Sequence, residues 1–300
     1  MTHAPHPRHR APEPAEPPTE PLAPRGDPGG RPAGVPPSGG PGGRPAGAAA
    51  SRPEPRPGRR RRGPSALRLV WVYPDLLSTY GDRGNLLVLQ RRAGLRGIET
   101  EPTAVNADQP VPRSGDIYLM GGGEDLPQIL AARRLRADGG LAVAAGAGAV
   151  LFAVCAGYQV LGTEFGGTEG EPVSGLGILD IRSGRGARRG VGEIVADVDP
   201  QLGVPRLTGF ENHQGVTSLG RAARPLAQVT VGVGNGDGTE GAYAGKVLGT
   251  YLHGAALVRN PGLADLLLSW AAGPLAPLAP AEENWARQLR DERLAAVAAG

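Results

Sequence analysis

From Leu67 onward, short apolar runs alternate with amphipathic stretches. Leu67 to Tyr73 (LRLVWVY) predicts a strand, Pro74 and Asp75 open a polar turn, and Asn85 to Leu95 has the apolar spacing of a surface helix. Gly115 to Met120 predicts a second strand that runs into Gly121, Gly122 and Gly123. Leu126 to Arg136 predicts a helix whose start is marked by Glu124 and Asp125. Val150 to Val154 is apolar without a break, as a strand covered on both faces must be, and Ala156 to Leu161 predicts a helix directly behind it. Beyond this point Glu193 to Val198, Val229 to Val233 and Val247 to Leu252 predict strands separated by glycine-rich turns. Pro261 to Trp270 predicts a closing helix. After the proline-punctuated segment 273–280, Ala281 to Ala299 has helical composition, with Trp285, Leu289 and Leu294 on one side, so it is expected to dock on the domain or on a partner. Alternation early and strands late predict an α/β fold with a mixed, mostly parallel sheet and helices on both faces.

Composition changes this picture at the N-terminus. Residues 1–64 are dominated by Pro, Gly, Ala and Arg and hold too little apolar surface to offset chain entropy, so a disordered leader is expected there. The expected organisation is a leader over 1–64, a domain over 65–273, and a linker with a C-terminal helix over 274–300. The leader lacks the apolar run of a secretory signal and no segment is apolar enough to span a bilayer, so a cytoplasmic protein without membrane insertion is expected. A single cysteine fits a reducing compartment and excludes an internal disulfide. The net charge of +3 conceals the run Arg59 to Arg62; with no aromatic residues interleaved it reads as a solvated basic linker, and no nucleic-acid partner is expected. His3, His6 and His9 lie in the leader, and no metal site is expected.

The chemistry concentrates at Cys155, which ends the most apolar run and opens a small-residue helix start. There the unpaired N–H groups favour a thiolate and can hold an oxyanion. The alternative is a small buried hydrophobe. With three of five histidines in the leader, only His213 and His253 remain as the base. His253 ends the strand beginning at Val247, where its ring reaches the level of Cys155 if the two strands are neighbours. His213 sits in the polar segment Glu211 to Gly215, either lining a substrate site or hydrogen-bonding within a loop. The glycine turn after Met120 offers side-chain-free N–H groups at a strand end.

The elbow Cys155-Ala156-Gly157-Tyr158-Gln159, the glycine turn and the late His253 together resemble the class I glutamine amidotransferases of the CobB/CobQ-like group, which have a flavodoxin-like fold. Within that group, Tyr80 to Asn85, Gly209 to His213 and Gly249 to Gly254 resemble the glutaminase subunits of lipid II isoglutaminyl synthases. The likeness covers about Leu67 to Trp270. It implies that Cys155 attacks the glutamine side-chain amide, that His253 protonates the departing ammonia, and that Ala156 with Gly122 or Gly123 holds the oxyanion. Arg189 would bind substrate, with Gln159 and His213 beside it. Two departures stand out: no glutamate follows two residues after His253, so a third catalytic group must come from elsewhere, such as a partner chain, and Ala153 stands where many relatives have glycine. The chain holds no G-x-x-x-x-G-K-[ST] run, so no cofactor is expected on it, and ATP and Mg are expected on a partner. The resemblance implies a heterodimer with a Mur ligase-like (MurT-type) synthetase working at the inner face of the membrane, which receives the ammonia and amidates the D-glutamate α-carboxyl of lipid II. The alternatives are an amidase subunit for another acceptor, such as a cobyrinate-type acid, and a non-catalytic regulatory subunit of the same fold.

Overall fold

A computed structural model describes residues 66–299; the leader predicted over 1–64, with its histidines and arginine run, lies outside the described residues. In chain order the elements are β1 (Leu67–Val72), α1 (Arg83–Gly94), β2 (Thr100–Val105), β3 (Ile117–Met120), α2 (Asp125–Asp138), α3 (Gly140–Gly146), β4 (Val150–Val154) and α4 (Ala156–Leu161). There follow β5 (Glu164–Gly166), β6 (Pro172–Ser174), β7 (Ile181–Val198), β8 (Leu207–Leu219), β9 (Ala227–Val231), β10 (Thr239–Glu240), β11 (Ala242–Ala244) and β12 (Val247–Thr250). The helices α5 (Ala256–Arg259), α6 (Pro261–Ala272) and α7 (Pro280–Ala299) close the chain.

The mixed, mostly parallel sheet that the sequence pattern predicts forms, and a second sheet accompanies it. The first has the order β11-β12-β4-β3-β1-β2 and is parallel except for β11. Its central strand β4 is buried along its whole length, as the unbroken apolar run requires, and each Val, Leu or Phe so covered contributes roughly 1.5–3 kcal/mol. From β1 the chain moves outward to β2, whereas from β3 it moves the opposite way to β4. Right-handed crossovers therefore put α1 and α2 on opposite faces, and the loops after β1 and β3 part at this switch point. β1, β3, β4 and β12 all present their carboxyl ends to the same edge.

The second sheet, with the order β10-β9-β7-β5-β6 and β8 paired to β7, is mainly antiparallel. Its main feature is the β7–β8 hairpin, of which the sequence pattern reveals only Glu193 to Val198. The remainder of β7 reads Ile181-Arg-Ser-Gly-Arg-Gly-Ala-Arg-Arg-Gly-Val-Gly, with no apolar alternation. Main-chain pairing to β8, rather than a buried face, holds it. His213, expected in a polar loop, is consequently a strand residue paired with Gly190.

The C-terminal helix docks on the domain. Arg92, buried on α1, makes a two-pronged contact with Asp265 of α6 at 2.7 and 2.6 Å and reaches Glu283 of α7 at 2.7 Å. Trp285, expected on the docking side, is instead 80% exposed.

Candidate active site

Cys155 follows the last residue of β4, and its N–H donates to the Thr250 carbonyl of β12 at 2.9 Å. The backbone then turns to φ 50°, ψ −105°, a left-handed excursion that side chains disfavour by roughly 1–3 kcal/mol. The flanks enforce it. β4 is locked in the sheet, and the Gly157 N–H donates to the Gly121 carbonyl at 3.1 Å, a closeness open only to glycine because a Cβ there would sit 2.8 Å from the Met120 Cβ. The elbow places Cys155 on the wall of a polar cavity of about 220 Å³, together with Gly123 and Ala156.

Burial pushes the Cys155 thiol up to about 12, against the pull of the Ala156 N–H. This corrects the expectation of a thiolate. The α4 N-terminus does favour the anion, but desolvation outweighs it, so the resting sulfur is a thiol. His253 is also buried, and neither ring nitrogen has a hydrogen-bond partner among the described residues, the Cys155 sulfur included. Burial, then the charges of His213 and Arg189, lower its pKa to about 4, so the imidazole is neutral near pH 7. Thiol and imidazole are therefore both neutral near pH 7. Tyr80 links them: its ring meets the imidazole edge-on at 4.7 Å between centroids, and a Cβ on Gly122 would lie 3.3 Å from that ring and 3.6 Å from the Cys155 Cβ. Tyr80 lines the cavity and His253 does not.

His213 is held quite differently. Its Nδ1 lies 2.9 Å from the Gly215 carbonyl and its Nε2 3.4 Å from the Glu211 carboxylate, and the ring stacks on Tyr251 at 3.8 Å. Both nitrogens are engaged by these oxygens, so neither is offered to Cys155. Burial raises the Glu211 pKa, but hydrogen bonds from His213, Gly234 and Val233 outweigh it and hold the carboxyl below its ordinary value. The Gln159 amide is engaged at both ends, donating to the Tyr251 hydroxyl at 3.0 Å and accepting from Gln128 at 2.8 Å. Arg189 sits in the irregular segment between Arg185 and Gly190 where β7 slips register on β8. A bulge of this kind re-aims side chains, and Arg189 lines the cavity with its Nε donating to Asn212 at 2.7 Å.

Sequence reasoning missed Asp82, although it lies inside the Tyr80 to Asn85 motif. It is buried, one carboxylate oxygen accepts the Gly122 N–H at 3.1 Å and the other has no partner among the described residues. Burial raises its pKa to about 6, and its charge opposes ionisation of Cys155. With the Gly122 N–H so engaged, and Gly122 set back from the cavity, Gly123 and Ala156 are the backbone donors on the wall. No cluster able to hold a metal ion occurs among the described residues.

A cysteine on a strained strand-to-helix elbow, at the carboxyl edge of a parallel sheet and beside a cavity, defines the α/β enzymes built around a nucleophile elbow. Within that class the chain belongs to the CobB/CobQ-like glutamine amidotransferase domain family, whose model matches residues 68–261. It is a glutamine-hydrolysing enzyme. The chain is 36% identical over 209 residues to the GatD subunit of the glutamine-hydrolysing lipid II isoglutaminyl synthase of Staphylococcus aureus (strain N315), covering 68% of this chain and 84% of the relative. It is 33% identical to the GatD subunit of Streptococcus pneumoniae (strain ATCC BAA-255 / R6), covering 69% and 81%. A cobyric acid synthase of Sphingopyxis alaskensis (strain DSM 13593 / LMG 18877 / RB2256) is 32% identical, but the match spans 54% of this chain and 33% of that protein.

Proposed function

We propose that this chain is the glutaminase subunit of a lipid II isoglutaminyl synthase, releasing ammonia through a Cys155 thioester for a Mur ligase-like partner of the MurT type. The match to two GatD subunits over four fifths of their length supports this acceptor over a cobyrinate-type acid, since the cobyric acid synthase matches over a third of its length. The partner, with ATP and Mg, activates the D-glutamate α-carboxyl and receives the ammonia. No helix among the described residues is long and apolar enough to cross a membrane, and the work at the inner face of the membrane is reached through the partner.

The reading rests on one observation: Cys155 faces the cavity from a forced elbow, with the Ala156 N–H directed at its sulfur and Gly123 beside it. Because the resting pair is neutral, the thiol proton passes to His253 as sulfur adds to the amide carbon, and the oxyanion is held by the Ala156 and Gly123 N–H groups. The imidazolium returns that proton to the nitrogen as the C–N bond breaks, giving ammonia and a thioester. Water then adds with His253 as base, the C–S bond breaks, and glutamate leaves with the thiol restored. His253 lies off the cavity wall, so Tyr80 shifts to let imidazole and sulfur meet. Arg189 binds the glutamine carboxylate by a two-pronged contact, while Gln159 and His213 shape the wall.

The test is to co-purify the chain with its synthetase, follow ammonia release from glutamine, and look for the glutamyl adduct on Cys155 by intact mass. Ammonia release that survives in Cys155→Ala would overturn the thioester route. Failure to bind any Mur ligase-like protein would overturn the assigned partner.

A further inference from the structure

Four carboxylate or guanidinium side chains line the cavity beside Cys155: Glu124, Asp125, Arg185 and Arg189. Asp125 and Arg185 neutralise each other at 3.3 Å. Among the described residues Arg189 engages only its Nε, with Asn212, which leaves its two terminal nitrogens without a partner there. Glu124 joins no ion pair among the described residues and meets only the Tyr80 hydroxyl at 3.5 Å, the outer limit of a hydrogen bond. It stands at the N-cap of α2 in an extended conformation (φ −82°, ψ 164°), yet its carboxylate makes no capping bond to the helix it begins. Glutamate is longer than the side chains that ordinarily cap a helix start, and this one is exposed. The cavity therefore presents one uncommitted anion from the loop after β3 and one uncommitted cation from the β7 bulge, with the nucleophile on the same wall. Both act on the sulfur with opposite sign, so both are within electrostatic reach of it.

We infer that Glu124 binds the α-ammonium of glutamine opposite Arg189, and that this pair of charges restricts the site to the free amino acid and excludes glutaminyl residues whose α-nitrogen is acylated. The inference rests on the glutaminase reading above. Glutamine carries a carboxylate and an ammonium at one end and its reactive amide at the other, and a site that reads both charges fixes the reach and the direction of the amide toward Cys155. An acylated nitrogen has no positive charge to meet Glu124 and adds bulk where the carboxylate stands.

The test uses the full chain and two probes that alkylate a glutaminase cysteine, 6-diazo-5-oxo-L-norleucine and its N-acetyl derivative. Labelling of Cys155 is read by intact mass, with iodoacetamide as a measure of sulfur reactivity alone. Wild type should label at least about tenfold faster with the free-amino probe, the usual scale of a charge-assisted hydrogen bond. Glu124→Gln should lose most of that advantage while its rates with the N-acetyl probe and iodoacetamide stay within about twofold, and Glu124→Asp should recover part of it. Arg189→Gln should slow both diazo probes, since both carry the carboxylate. Equal wild-type rates with the two probes, or a parallel fall of both in Glu124→Gln, would overturn the role of Glu124 and leave the glutaminase reading standing. A wild-type sulfur that iodoacetamide modifies and neither diazo probe touches would overturn both.

Discussion

The parallel and antiparallel sheets meet at one cavity but treat their functional side chains in opposite ways. At the carboxyl edge of the parallel sheet the buried groups are under-bonded among the described residues: the Cys155 thiol is raised despite the Ala156 N–H, both His253 nitrogens are unbonded, and one oxygen of Asp82 is orphaned. On the antiparallel sheet His213 and Glu211 are bonded at every polar atom that faces a neighbour, while Arg189 stands exposed in a bulge. The two groups that exchange a proton in the proposed mechanism, Cys155 and His253, are thus kept dry. Those to which the proposal gives the shape of the wall or the reading of charge are either fixed by bonds or offered to solvent. Undoing each arrangement therefore has a different consequence.

The largest loss is expected at the sulfur. Cys155→Ala should lower ammonia release by about 10⁴-fold or more, measured in a coupled glutamate assay, with the melting temperature near that of wild type. The two histidines sharpen the contrast. His253→Ala should cost about 10²–10⁴-fold with a loss of stability limited to its packing on Tyr80, since among the described residues the ring forms no hydrogen bond that would be lost. His213→Gln should act chiefly on stability, leaving the buried Glu211 carboxylate without its side-chain partner. If His213→Gln removed activity and His253→Ala did not, the assignment of the base would be reversed. The pH profile gives a further test: His253 accepts a proton only when neutral, so with its pKa at about 4 the acid limb of kcat/KM should fall near pH 4 rather than near 6.5. An acid limb near 6.5 would mean that the imidazole is solvated in the working enzyme.

Packing separates the sheets in the same sense. A Cβ on Gly249, in β12, would lie 1.9 Å from the ring of the fully buried Tyr158, so Gly249→Ala should destabilise by about 3 kcal/mol. Gly184 in β7 has open space around its Cα, and Gly184→Ala should change stability by no more than about 0.5 kcal/mol. Urea melts of the two variants decide the matter, and similar midpoints would show that the parallel sheet is not the tightly packed half.

This contrast also explains what could be read from the sequence. β1, β3, β4 and β12 announce themselves because burial on both faces demands apolar runs, and the Cys155 elbow and His253 stand at the ends of two of them. The β7–β8 hairpin left almost no trace, because an exposed ribbon held by main-chain bonds can carry arginine and glycine throughout. His213 was accordingly placed in a loop. The protonation of Cys155 was misread for a related reason: a helix start is visible in sequence, whereas the depth of burial that overrides it depends on strands 95 residues away. Asp82 was passed over because a single acid between glycines resembles an ordinary turn until the fold closes over it.

Asp82 gives the most direct measure of what the dry half of the site costs. Its folded pKa of about 6 stands above the ordinary 3.8. The folded state therefore binds the proton more tightly, and the stability this contributes is complete below about pH 3.8 and lost as pH rises through 6. The gap corresponds to about 3 kcal/mol at most. Asp82→Asn keeps an acceptor for the Gly122 N–H and removes the charge, so its melting temperature should exceed that of wild type by several degrees at pH 8 and converge with it near pH 4. The same substitution removes a negative charge beside Cys155, so alkylation of the sulfur by iodoacetamide should begin at lower pH than in wild type. A variant that melts with wild type at both pH values would show that the carboxylate is solvated, and the apolar environment assigned to the thiol and to His253 would have to be given up with it.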